Sequence, residues 1–539
     1  MQYLIQQERY VPNKIIESFK PRFGSAKINI KTAIGAVDGP EGFKLVATRN
    51  GDSIDATIFY QSAHVVRYAL NHLLAFSKSA DSKLEVNTSP DFPIRGVVEG
   101  FYGKPWSHQQ RLRAIEKFGD FNFNTYFIAP KDVPWQRFNW RQPFNDEFIG
   151  LTKELIIKGS ENGIAVTACV SPGLSVRYSD INDVNSVVTR FKQLYDAGSR
   201  HFSLLWDDIA WELQHQEDID TFPTTASAQA WFTNQVWKAM LKVDNSIQMT
   251  VCPMHYCGRG NEPYLVDIGP LLSPRINLMW TGRDICSGYL DIADAVIFQR
   301  STLRPPLYWD NFPVNDGSMQ KNLYIGPIRN REVGLQRYSA GLLANPMLQF
   351  EMSLFPLKTI GDYLWDTESY IPEKSWESGI IQLVEDEKSR IALRSFMRCS
   401  MASNVGGDPA PDLRQVFRRG VTAWRAGELR NAGDEFINEG NRMHANAKFL
   451  GSTDFKYPEI YSEIEPWIGK YLLGADALIA LGKALHKCTF SQSERRIQGN
   501  AEIIKELEVA VDNYLGSRKI MFGDQIDGPI NELIAELSA

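Results

Sequence analysis

Residues 201–208 read HFSLLWDD. The apolar run has the length of a strand and should be buried. It nevertheless ends on two adjacent carboxylates, Asp207 and Asp208. Similar runs lie on either side of it: IRGVVEG, NTYFIAP and IAVTACVSP before it, and IQMTVCP, INLMWTG, PPLYWDN and AGLLANP after it. Helical patterns such as SHQQRLRAIEKFGDF and DVNSVVTRFKQLYDAGS separate them. Strand–helix alternation implies parallel pairing with crossover helices, and eight such strands are the arithmetic of a (β/α)8 TIM barrel. An open doubly wound sheet is the alternative, but no G-x-G-x-x-G follows the first run. Polar residues collect at the C-terminal ends of the runs: Glu99, Lys131, Asp132, Asp207, Asp208, Tyr256, Asp310, Asn311 and Asn345. Barrel active sites are built at that face.

The flanks have a different texture. Residues 1–90 read as a small α+β domain, with strand-like AKINIKTAI and GFKLVATRN, turns at GPEG and RNGDS, and a helix in SAHVVRYALNHLLAFSKSA. DSKLEVNTSPDFP reads as polar punctuation that closes this domain. The barrel is assigned to 91–370. Residues 371–539 carry period-3.6 patterning and predict a C-terminal bundle of about five helices. The expected fold class is therefore α/β: a catalytic barrel between a small α+β domain and a helical domain.

Composition narrows the function. A formal charge of -6 argues against a broad nucleic-acid surface. The 13 tryptophans suit carbohydrate faces as well as cores, because sugar C–H surfaces stack on aromatic rings. The six cysteines have no C-x-x-C spacing and read as free thiols of a reducing compartment. No apolar leader is visible at the start and no run is long enough to cross a bilayer, so the expectation is a cytoplasmic protein with no membrane partner. With 8 histidines and no H-x-H or H-E-x-x-H, neither a metal nor a cofactor is expected.

A carboxylate pair at a strand end suits acid–base work, because coupling and unequal burial can hold one group protonated and the other ionised. Adjacent residues cannot easily reach both faces of a sugar ring, which argues against the usual acid–nucleophile arrangement. They can serve a scheme in which the substrate's own 2-acetamido oxygen attacks C1. One aspartate then polarises the acetamide N–H and the other protonates the leaving group. On the carboxylate pair alone, a metal ligand set or a helix cap remains an alternative.

The neighbouring motifs carry more. RGVVEGFYGKPWS (95–107), NTYFIAPKD (124–132), VSPG (170–173), LLWDDI (204–209), CPMHYCG (252–258), MWTG (279–282), YWDNFPVND (308–316) and LLANP (342–346) together resemble family 84 of the glycoside hydrolases, the O-GlcNAcases and related β-N-acetylglucosaminidases. The flanking regions resemble those of bacterial members in architecture only. The resemblance implies that Asp207 holds the acetamido N–H and that Asp208 is the general acid/base. It implies substrate contacts for Gly100, Lys131, Tyr256, Asn311, Asp316 and Asn345, and an acetyl pocket lined by Cys252 and Trp280. Read alone, Gly100 and Gly103 are turn glycines, Trp280 is packing, and Cys252 is a pocket-wall hydrophobe. Phe101 and Tyr102 read as wall residues. Val133 departs from relatives that carry a second aspartate there, and His255 has no assigned role.

The resulting expectation is a retaining exo-β-N-acetylglucosaminidase acting through an oxazoline, with a β-GlcNAc-bearing glycoprotein or glycoconjugate as partner. An endo-acting, hyaluronidase-like hexosaminidase and a non-catalytic GlcNAc-binding module are the alternatives. The helical domain is a candidate homodimer surface.

Overall fold

The computed structural model describes residues 13–35, 37, 39, 41–494, 496–523 and 525–538. Met1–Pro12 of the opening segment and Pro40 of GPEG lie outside the described residues. The chain forms two compact units. The first comprises residues 1–312, 330–346 and 360–370, and the second comprises 313–329, 347–359 and 371–539.

In the first unit, strands β1 (Lys27–Ile34), β2 (Phe43–Asn50), β3 (Ser53–Tyr60) and β4 (Lys83–Thr88) form a sheet in the order β1-β3-β2-β4. β1 and β3 run parallel and the other pairs antiparallel. Burial along β2 and β3 alternates, so one face of the sheet packs against the helix Val66–Ser77. β4 corrects the sequence reading: LEVNT is a strand and not closing punctuation. It lies at the sheet edge with alternating exposure, and its Lys, Glu and Asn give it a loop-like composition.

The eight remaining strands are β5 (Ile94–Glu99), β6 (Thr125–Ile128), β7 (Ala165–Ala168), β8 (His201–Leu205), β9 (Gln248–Cys252), β10 (Ile276–Trp280), β11 (Leu307–Asp310) and β12 (Gly341–Ala344). They pair in parallel in the order β7-β6-β5-β12-β11-β10-β9-β8. Val170 closes the ring: its N–H donates to Ser203 O at 3.0 Å, and Leu205 N–H donates to Val170 O at 2.9 Å. The predicted (β/α)8 barrel is the fold. β6, β8, β11 and β12 are buried at every position, because barrel interior and helical layer cover both faces. Punctuation sets the helices between them. Ser107 and Gln110 form a capping box at the start of His108–Asp120, and Asp180 caps Ile181–Ala197. Gly198, at φ 116°, ends the latter in the left-handed region that a side chain would strain.

Arg95 joins the α+β sheet to the barrel. It is fully buried, and donates to Glu41 at 2.6 Å, Phe92 O at 2.7 Å, Asn122 O at 2.9 Å and Tyr68 Oη at 3.1 Å. In the second unit seven helices are described from Pro372 onward, more than the five expected. Asp386 caps a separate helix, Glu387–Met397, and Gly427, at φ 83°, separates Pro411–Arg425 from Leu429–Leu450. The two longest, Leu429–Leu450 and Pro458–Lys487, approach closely at glycines: a Cβ on Gly433 would stand 2.6 Å from Gly482 O. Among the described residues no helix is long and apolar enough to cross a membrane.

Candidate active site

The barrel interior is filled by Val98, Phe127, Cys169, Leu205, Cys252, Met279, Leu307, Trp309 and Leu343. Side chains at the ends of these strands form the mouth above that plug. Asp207 follows β8 and is buried. The Lys131 ammonium, itself only 2% exposed, donates to Asp207 Oδ2. Asp207 Oδ1 is buried and accepts no hydrogen bond from the protein. A buried acceptor left this way is a marked exception, since such groups are nearly always paired. Lys131 Nζ also lies 5.2 Å from the Trp309 ring centroid, a cation–π contact that holds the ammonium over the indole.

Asp208 is exposed at the mouth, with its carboxyl partly desolvated by its neighbours, and takes a left-handed backbone, φ 56°. Aspartate tolerates that region better than most residues but still at some strain. Tyr102 Oη donates to its Oδ2 at 2.7 Å and Tyr256 Oη to its Oδ1 at 2.8 Å. Arg137 Nη2 donates to the Asp208 backbone carbonyl at 2.9 Å, and its Nη1 to Tyr102 Oη at 2.9 Å. Burial pushes the Asp208 carboxyl up. The tyrosine hydrogen bonds and the Lys131 and Arg137 charges outweigh it, so the group stays ionised below its ordinary range. Burial, together with the neighbouring Asp208 charge, pushes both phenols up and keeps them as donors.

The other predicted residues divide. Asn345 Oδ1 accepts from Gly100 N–H at 3.2 Å, and its Nδ2 donates to Asn311 Oδ1 at 2.9 Å. Asn311 Oδ1 also accepts from Trp309 Nε1 at 2.9 Å. Gly100, Trp309, Asn311 and Asn345 are thus one hydrogen-bonded wall. Gly100 must be glycine because a Cβ there would stand 2.3 Å from the Trp309 ring. Cys252 is buried in the floor, and burial with the Asp207 charge nearby raises its thiol well above normal, so it is no nucleophile. Glu99 and Asp310 are structural: Arg111 binds both oxygens of Glu99, at 2.7 and 2.8 Å, and Arg331 both oxygens of Asp310, at 2.6 and 2.8 Å. Asp316 belongs to the second unit, at the N-cap of the 3-10 turn Gly317–Lys321.

Trp280 is a correction. Its ring stacks on Phe298, at 5.0 Å, and lies 6.0 Å from Tyr308, so it faces the helical layer and not the interior. Strand alternation is the reason: Met279 points in, and its neighbour must point out. The same alternation turns Trp309 inward beside Leu307, and that signal was present in YWDN. Thr281 carries a second role missed in the sequence: its N–H donates to Tyr256 O at 2.8 Å and positions that tyrosine's loop. Arg137 and the Tyr102 contact were also missed, since their spacing from Asp208 has no local signature. Among the described residues no group of three or more His, Cys, Asp or Glu side chains is placed to hold a metal.

Acid–base chemistry at the mouth of a (β/α)8 barrel is the class that this geometry defines. The chain belongs to the beta-N-acetylglucosaminidase family of glycoside hydrolases, family 84, whose model matches residues 95–398. Rat protein O-GlcNAcase is 31% identical to it over 274 residues, 50% of this chain and 29% of that relative's length. The chain therefore matches less than a third of that relative. The structure of a mutant Thermobaculum terrenum O-GlcNAc hydrolase is similar at 29% identity with a TM-score of 0.74, covering 82% of this chain and 95% of the other. CpGH84B, at 24% identity, TM-score 0.77, and 93% and 87% coverage, shares the fold.

Proposed function

We propose that this chain is a retaining exo-β-N-acetylglucosaminidase that removes terminal β-linked GlcNAc, of the O-GlcNAc type on Ser/Thr, by substrate assistance. The observation that carries this reading is the unsatisfied Oδ1 of Asp207. Its partner oxygen is held by Lys131, so the carboxylate is fixed with one buried acceptor facing no protein donor. A 2-acetamido N–H supplies the missing donor. The amide carbonyl oxygen then attacks C1, the bond to the leaving oxygen breaks, and Asp208 delivers a proton to that oxygen. In the second step water adds to C1 of the oxazoline, the bond from C1 to the amide oxygen breaks to restore the acetamide, and the water's proton returns to Asp208. Polarisation of the amide strengthens as the carbonyl oxygen attacks, so Asp207 stabilises the transition state more than the ground state.

The relatives named for O-GlcNAc hydrolysis support the substrate class. Six free cysteines support a reducing, cytoplasmic compartment. The test uses β-GlcNAc substrates with poor alkyl and good aryl leaving groups. Asp208→Asn should lower turnover of the alkyl substrate about 10²–10⁴-fold and spare the aryl substrate's first step. Equal rates on a β-glucoside lacking the acetamide, or a glycosyl group trapped on the protein, would sink the mechanism. Release from polymer interiors would favour the endo-acting reading, and GlcNAc binding without turnover the binding-module reading.

A further inference from the structure

The hydrogen bonds around Asp208 are not equivalent. The Tyr102 oxygen accepts from the Arg137 guanidinium at 2.9 Å, so its own proton is directed to Asp208 Oδ2, 2.7 Å away. Arginine carries no acceptor and does not give up its charge, so this polarity cannot reverse. Tyr256 donates to the other oxygen, Oδ1, at 2.8 Å. Arg137 is also rigidly held. It is buried, its second nitrogen grips the Asp208 carbonyl, and it sits in the short helix Pro134–Arg137. Arg190 braces that loop through the carbonyls of Trp135, Asn139 and Gln142 at 2.6–2.7 Å.

We propose that Arg137 is a positioning residue that, through Tyr102, reserves Oδ2 of Asp208 as a permanent acceptor, so that the catalytic proton is carried on Oδ1 and Tyr256 must release that oxygen before the acid can act. This rests on the acid role proposed for Asp208. Two donors on one carboxylate favour its ionised form, and a general acid needs the proton. Substrate binding that draws Tyr256 away leaves one donor and lets Oδ1 take up a proton. In the first step the Oδ1–H bond breaks as the leaving oxygen gains that proton and C1–O cleaves. In the second, water loses a proton to Oδ1 as its oxygen bonds to C1 and the bond from C1 to the acetamide oxygen breaks. Oδ2 keeps its Tyr102 bond throughout. The groups facing this carboxylate are Tyr102, Tyr256, Arg137 and Lys131, with Asp207 and the thiols of Cys252 and Cys257 close by.

The experiment is the pH profile of kcat and kcat/KM on an alkyl β-GlcNAc for wild type, Tyr102→Phe and Arg137→Met. In wild type the alkaline limb of kcat should lie above that of kcat/KM, because the bound state has lost one donor. Tyr102→Phe should move both limbs upward by about one to two pH units, the weight of one hydrogen bond to a charged group. Arg137→Met should move them the same way and also lower kcat, since the Asp208 backbone loses its anchor. If Arg137→Met does not fold, Tyr102→Phe decides alone. Limbs unmoved or shifted downward in Tyr102→Phe overturn this inference and leave the acid role standing. An Asp208→Asn variant as active as wild type on the alkyl substrate overturns the acid role, and this inference with it.

Discussion

The arginines at one end of the barrel and the aspartate pair at the other are held in opposite ways. At the N-terminal end, Arg304 gives its guanidinium to the carbonyls of Gly269, Leu272, Ser273, Ile276 and Thr302 at 2.5–3.2 Å. Arg95 is divided among four acceptors, and His201 bonds Thr250 Oγ1 at 2.8 Å. At the C-terminal mouth, Asp207 keeps a bare oxygen and Asp208 a left-handed backbone. Saturated groups hold a fold together. Unsatisfied and strained groups persist only where surrounding structure over-determines them, and they cluster at functional sites. The closed ring of parallel strands lets one end be stabilised while the other stays reactive.

Three experiments sharpen or break this contrast. Arg95→Met should have the largest effect. It strands the Glu41 carboxylate and several acceptors, and should cost about 3–5 kcal/mol in urea unfolding while leaving kcat of the folded enzyme near wild type. A large fall in kcat with stability intact would reverse the assignment of that end.

His201 comes next. Burial pushes its imidazole down to about 4 from 6.5. As pH falls below the unfolded value, the unfolded chain binds a proton that the folded chain refuses. Stability should therefore decline from about pH 6.5 to about pH 4, by about 3 kcal/mol in full. His201→Gln should remove that part of the pH dependence of unfolding, and identical slopes in both proteins would contradict it.

Gly100→Ala should show the smallest stability change, about 1–3 kcal/mol, because its Cβ must displace the Trp309 ring. Its signature is a fall in kcat/KM as Asn311 and Lys131 lose their common support. Normal kcat/KM together with a normal melting temperature would show that the wall is more compliant than its geometry implies.

The eight barrel strands were legible because a strand buried on both faces leaves a short apolar run that polar helices cannot imitate. The caps at Ser107 and Asp180 were legible for a similar reason: an unsatisfied helix end asks for a local side chain. Edge strand β4 was not, since half its residues face water. Trp280 is given to the pocket by the family resemblance and to packing by the residue alone, and alternation along its strand bears out the packing. Arg137 left no trace, because a guanidinium reaching a backbone carbonyl 71 residues away has no spacing to read.

By itself the sequence determined that two carboxylates stand at the end of a buried strand, and in what order the surrounding motifs follow. Covalent spacing and solvent preference suffice for that. Only the tertiary structure decided which carboxylate is left with a bare oxygen and which is gripped by two phenols. Tyr102 lies 106 residues from Asp208 and Tyr256 lies 48. Hydrogen bonds at 2.7–2.8 Å between such distant positions exist only once the barrel has closed.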